Sequence, residues 1–166
     1  MLDWPEIDTW LPDQGVLWVH LSCSSQESVH WLEEQSGLES LIVDALLSEG
    51  TRPRSTVIGE GVLLTLRGVN LNPGEDHEDM VSIRIWAEHK RIITTRRRKL
   101  LSVTNLIGSF SAGQGPTTSS EFINTLAESL TDHIEDTVED IEEQTADLEE
   151  QVVISHDRKL RSKISG

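Results

Sequence analysis

His133, Asp136 and Asp140 lie three and four residues apart in "HIEDTVED", a spacing that puts all three on one face of a helix. An imidazole and two carboxylates can bind a divalent cation when a second element completes the shell, because such ions take ligands from several directions. A helix surface alone offers too few converging donors, so the same residues also fit a solvated face that attracts cations diffusely. A second group, Asp76, His77 and Asp79 in "GEDHEDM", has suitable ligand chemistry and equally suits a polar loop between strands. No phosphate loop, nucleophile elbow, HExxH or CxxC accompanies them, so no catalytic residue and no organic cofactor site is expected, and the chain reads as a non-enzyme. His20 alternates within an apolar run and reads as structural. Cys23, the lone cysteine, cannot form an internal disulfide and fits a reducing compartment.

The first trio belongs to a longer acidic stretch. From Glu121 to Glu150 there are twelve carboxylates and no Lys or Arg, and six like-charged pairs lie four apart. Such pairs penalise a helix by roughly 1 to 3 kcal/mol together at low salt. Disorder is nevertheless disfavoured, because Phe122, Leu126, Leu130, Ile134, Val138, Ile141, Thr145, Leu148 and Val152 recur at steps of three and four. The pattern predicts one long amphipathic helix docked along one side of the body, with an N-cap among Thr118 to Ser120 and Glu121 in the first turn. "SHDRKLRSKISG" is then expected to start a further helix at Ser155 or Asp157, in position to fold back as a hairpin arm.

The remaining elements follow from periodicity. "VLWVHLS" (16–22) reads as a strand covered on both faces and placed inside a sheet. Two short helices follow, in "SQESVHWLEEQSG" and "LESLIVDALLSEG". After "TRPRST" the period changes to two: "VIGEGVLLTLRGVNL" and "DMVSIRIWAEH" flank a polar loop as an antiparallel pair, and "KRIITTRRRK" adds a strand with a basic end. "LLSVTNLIGSFSAG" is a helix closed by Gly113, and "QGPTTSS" is a linker. The expected fold is α/β with a mixed, largely antiparallel sheet over residues 1–117, followed by the acidic helix and the start of the next over 118–166.

The 166 residues carry a formal charge of −15, with −6 in residues 1–120 and −9 in 121–166. Nucleic acid is an unlikely partner for such a chain, since phosphate neutralisation needs clustered Lys and Arg on an accessible face, and a platform for bases interleaves them with aromatics. The basic "RRRK" at 96–99 has no such aromatics and reads as a solvated strand end or a surface that meets acidic helices. Neither a signal peptide nor a run of about 18 apolar residues is visible, so the chain is expected to be soluble and cytoplasmic.

The block from Thr51 to Leu100 resembles the zinc-transporter (ZntB) branch of the CorA family of divalent metal-ion transporters. The matching residues are Arg52-Pro53-Arg54, Gly59-Glu60-Gly61, Leu66-Arg67 with Asn70, Asp79-Met80 before Arg84, and Thr95-Arg96 with Arg98-Lys99. "LTDHIEDTVEDIEEQTADLEE" is similar to that family's long helix, and "WVHL" with "WLEE" to its start. The resemblance implies a homopentameric inner-membrane protein whose N-terminal α/β/α sandwich forms a cytoplasmic funnel, with zinc as the transported or regulatory ion. The family's Gly-Met-Asn signature, stalk and membrane helices are absent, so the chain is expected to be the N-terminal portion of such a protein, reaching the membrane through a C-terminal part. On this reading it attracts or senses metal ions near the pore entrance. The alternatives are a magnesium or cobalt transporter domain of the same superfamily, and a stand-alone cytosolic cation-binding or interaction module.

Overall fold

The computed structural model describes residues 2–76 and 79–164, with side chains through Val153. Five strands, β1 (Leu17–Ser22), β2 (Arg54–Ile58), β3 (Gly61–Gly68), β4 (Val81–Ala87) and β5 (Arg91–Arg96), form one sheet in the order β1-β5-β4-β3-β2. The β1–β5 pair is parallel and the other three are antiparallel, the mixed and largely antiparallel sheet expected.

Helices cover both faces, which gives an α/β/α sandwich. The short N-terminal helix α1 (Trp4–Asp8), α2 (Gln26–Glu34) and α3 (Ser40–Leu47) lie on one side, where Leu17, Val19, Leu21, Leu63, Trp86 and Ile93 meet Trp31, Leu32, Ile42 and Leu46. On the other side Val81, Ile83, Ile85, Ala87 and Ile92 meet α4 (Leu101–Ser111) and α5 (Ser119–Ile164) through Val103, Leu106, Phe122, Leu126 and Leu130. The period-two alternation of β4 thus feeds two cores from one strand.

β1 is covered on both faces but stands at the edge of the sheet, not inside it. Its apolar run is explained by its faces: Leu17, Val19 and Leu21 enter the α2/α3 core, while Trp18 packs on Phe110 and Phe122 at ring distances of 5.4 and 4.9 Å. "VIGEGVLLTLRGVNL", expected as a single strand, is broken by a hairpin: Ile58 pairs with Gly61 across Gly59 and Glu60, and Gly59 takes φ +57°. Gly61 is required for a second reason, because a Cβ there would overlap the Trp86 ring.

α5 starts as the sequence suggested. Thr118 Oγ1 accepts from the Glu121 amide at 3.1 Å, and the Glu121 carboxylate accepts from the Thr117 amide and hydroxyl at 2.8 and 2.9 Å. It docks over β3, where Gly68 admits it: a Cβ at that position would stand 2.5 Å from Leu130 Cδ2. Docking ends at Thr137, the last buried residue of the helix among those described. Beyond it Val138, Ile141, Leu148 and Val152 are 47, 52, 61 and 65% exposed, so the stripe expected to pack along its whole length packs only in its first half. The sheet dictates this limit: eight residues of β3 span about 26 Å at roughly 3.3 Å each, whereas the helix of 46 residues runs about 70 Å at about 1.5 Å each. The backbone also stays helical through Ile164, where a new element was expected to begin at Ser155 or Asp157.

Candidate functional site

The sequence candidates are built on two different supports. His133 sits on the docked half of α5, where its Nδ1 is 3.0 Å from Ser102 Oγ at the start of α4. Asp136 and Asp140 stand on the same helix but are fully exposed, together with Asp132, Glu135, Glu139, Glu142, Glu143, Asp147, Glu149 and Glu150. The helix therefore aligns the trio without closing a coordination shell around it. The His133 ring is turned to α4, the two carboxylates point to solvent, and no second element faces them. Among the described residues no three His, Cys, Asp or Glu side chains converge to hold a metal ion.

The loop between β3 and β4 uses its carboxylates to hold itself in place. Buried Asn70 donates from Nδ2 to Glu75 at 2.6 Å and accepts from Asn72 Nδ2 at 2.7 Å, while Asn72 also donates to the Lys99 carbonyl at 3.2 Å. Arg98 lies 3.4 Å from both Glu75 and Asp79. Asp79 is thus paired with a guanidinium, Asp76 is exposed on the loop, and His77 lies outside the described residues.

The basic run 96–99 is divided among separate partners, with Arg96 ending β5 and the rest lying just past it. Arg96 donates from Nε to His20 Nε2 at 2.8 Å, Arg97 donates to the Leu47 carbonyl at 3.0 Å, and Arg98 takes the loop carboxylates. His20 Nδ1 lies 2.8 Å from Thr94 Oγ1, which also accepts from Trp18 Nε1 at 2.8 Å. With Nε2 accepting from Arg96, the proton of the neutral ring sits on Nδ1. Burial, reinforced by the Arg96 charge, lowers the His20 pKa to about 4.

A groove of about 960 Å³ opens elsewhere, between Trp10, Trp31 and Trp86 and the turn that joins β4 to β5. Burial pushes the Glu88 carboxyl up, but hydrogen bonds from Arg91 and Trp86 and the Arg91 charge hold it below the usual carboxylate range. Arg91 in turn donates to the Ser36 carbonyl at 2.8 Å, so the pair fastens the turn to the end of α2. None of the sequence candidates lines this groove.

The most distinctive charged surface is therefore the exposed half of α5, a negatively charged rod that leaves the sandwich near Gly68 and Ser102. Among the side chains described, no ion pair joins it to any basic residue. It can hold a loose cloud of cations without a tight site.

A family model described as "CorA-like Mg2+ transporter protein" matches residues 13–166. The chain belongs to the CorA-like family. The chain is 45% identical over 125 residues to the protein named "Divalent cation transporter CmaX" of Pseudomonas aeruginosa, covering 75% of this chain and 37% of that protein. The protein named "Zinc transport protein ZntB" of Pectobacterium carotovorum is 39% identical over 116 residues, covering 70% and 36%. A solved structure, "ZntB cytoplasmic domain from Vibrio parahaemolyticus", superposes with a TM-score of 0.70 at 28% identity, covering 76% of this chain and 52% of that one. This CorA-like chain thus spans between a third and two fifths of the length of those two relatives. No helix among its described residues is long and apolar enough to cross a membrane.

Proposed function

We propose that this chain is the cytoplasmic funnel domain of a divalent-cation transporter, with zinc as its ion, and that α5 concentrates cations near the pore entrance. The observation that carries the reading is the exposed half of α5, whose many carboxylates have no basic partner among the side chains described. A surface of one sign raises the local concentration of counter-ions and speeds their capture. Membership of the CorA-like family and the transporter names of its relatives support the setting: a membrane-attached, non-enzymatic, self-associating protein, pentameric when whole, with this part on the cytoplasmic side.

Within that surface Asp136 and Asp140, one turn apart, are the pair best placed to share an ion, with His133 a further turn toward the sandwich. Asp76, His77 and Asp79 form the second candidate patch. The reading is tested in cells that depend on the full-length protein for metal uptake. Replacing Asp132, Asp136, Asp140 and Glu143 by Asn or Gln should slow zinc uptake several-fold while leaving protein abundance unchanged. Unaltered uptake would make the acidic face a bystander, and magnesium or cobalt uptake without zinc uptake would assign the other branch of the family.

A further inference from the structure

The opposite charge gathers on the other face of the sheet. Arg54 pairs with Thr65, Thr65 with Arg84, and Arg84 with Thr95, so Arg54 and Arg84 share the face that carries α2 and α3. Arg67, two residues along β3 from Thr65, lies on that face as well. Arg97, just past β5, reaches the Leu47 carbonyl at the end of α3.

Arg84 is 1% exposed. Its Nη2 donates to the Gly50 carbonyl at 2.9 Å, but Nε and Nη1 have no partner among the described residues. Arg67 Nε and Ser48 Oγ, at the C-terminal end of α3, are also buried and unpartnered. The partial negative charge at the end of α3 favours cations there, yet it engages only one of the three Arg84 nitrogens. Unused donors on a buried cation are costly and rare in folded proteins. Burial lowers the Arg84 pKa, with Arg97 and Arg54 pushing the same way against Cys23 and Glu49. Glu49 is the sole carboxylate among these groups, and its side chain is 86% exposed and 3.5 Å from Arg97.

We propose that this arginine end of the sheet binds a small inorganic oxyanion of the phosphate type, held by Arg84 and Arg67 from the floor and by Ser48, Arg54 and Arg97 from the sides. Donors supplied by four strands and a helix end suit an ion with several oxygens better than a chloride or a planar carboxylate. The burial of Arg84 favours a free ion over the phosphoryl group of a larger ligand. The site lies on the face opposite α5.

The test is thermal unfolding of the 166-residue chain in sodium phosphate, sodium chloride and sodium acetate at matched ionic strength and pH, with phosphate affinity taken from the concentration dependence of Tm. Phosphate should raise Tm beyond the other two salts. Arg54→Gln with Arg97→Gln, both on exposed side chains, should keep the Tm measured in chloride and weaken phosphate affinity by about tenfold or more. Arg84→Met should abolish the phosphate effect; because it also removes the bond to Gly50, the double variant is decisive. An equal response to all three salts, or an unchanged phosphate response in the double variant, overturns the assignment.

Discussion

Acidification should destabilise this protein in part through His20, which the fold holds neutral. His20 is held neutral by one contact that depends on its protonation state, Nε2 accepting from Arg96, while Nδ1 donates to Thr94 Oγ1 in either state. Protonation would place a proton on Nε2 against a guanidinium 2.8 Å away. The folded-state pKa falls from the ordinary 6.5 to about 4. A histidine with a lowered pKa gives its stabilisation in full above 6.5 and loses it as pH falls toward 4, since in that window the unfolded chain binds a proton that the folded one refuses. At about 1.36 kcal/mol per pH unit the loss approaches 3 kcal/mol, a large share of the ~5 to 15 kcal/mol that holds a typical domain together.

The assay is urea unfolding of the wild type and His20→Asn from pH 7.5 to 4. Asn cannot titrate, and the carboxylates common to both proteins cancel in the difference. The wild-type advantage should shrink by about 2 to 3 kcal/mol between pH 7 and pH 4, with most of the change below pH 6.5. A difference that stays flat with pH would refute the reasoning and mean that Arg96 moves away at little cost when the ring is charged.

Other expectations are checked on the same unfolding curves. Leu126→Ala should cost about 2 to 4 kcal/mol because the side chain is buried between α5 and the sheet, whereas Leu148→Ala, on the exposed half, should stay within about 0.5 kcal/mol. Gly68→Ala should cost about 1 to 3 kcal/mol by driving Leu130 away from β3. Removing the cap with Thr118→Ala should cost about 0.5 to 2 kcal/mol and lower helicity at the start of α5 in hydrogen exchange. Raising salt from 10 to 300 mM should increase helix content in the acidic half by relieving repulsion worth roughly 1 to 3 kcal/mol.

The elements were legible where local chemistry and burial agree. Ser25 before α2, Thr118 before α5 and Gly113 after α4 occupy the cap positions that the sequence suggested, because a cap is a contact between near neighbours. The first helix escaped notice although Asp3 and Glu6 form a capping box around Pro5, since five residues are too few to show a period. The edge position of β1 was hidden because an apolar strand reports coverage of its faces and says nothing about its hydrogen-bonding edges. The site candidates were legible as ligand types and spacing. What their surroundings do was not: the hydrogen bond from His133 to Ser102 and the Arg98 pairing of Asp79 join residues 31 and 19 apart in sequence. In the sequence Arg84 is only one of the residues that carry the family resemblance, and the fold alone shows that its guanidinium is buried, with two nitrogens unpartnered among the described residues.

The distribution of charge explains why α5 keeps its negative field. Arg96, at the end of β5, lies on the face that carries α4 and α5, and Arg98, two residues beyond the strand, reaches the loop between β3 and β4; both could have served the acidic helix as counter-charges. Both are already committed, Arg96 to His20 and Arg98 to Glu75 and Asp79. Arg54, Arg67, Arg84 and Arg97 lie behind the sheet, where a buried apolar layer separates them from the helix. Among the described side chains, the basic residues of the sheet are therefore unavailable to the acidic half of α5. A substitution that frees a cation near the root of α5 should act on that field: Glu75→Gln with Asp79→Asn releases Arg98 from its two partners. In a full-length transporter the double variant should lower zinc uptake in the same direction as neutralising α5, although it touches no residue of that helix. Unchanged uptake in that variant, alongside reduced uptake on neutralising α5 itself, would show that the field depends on the helix alone.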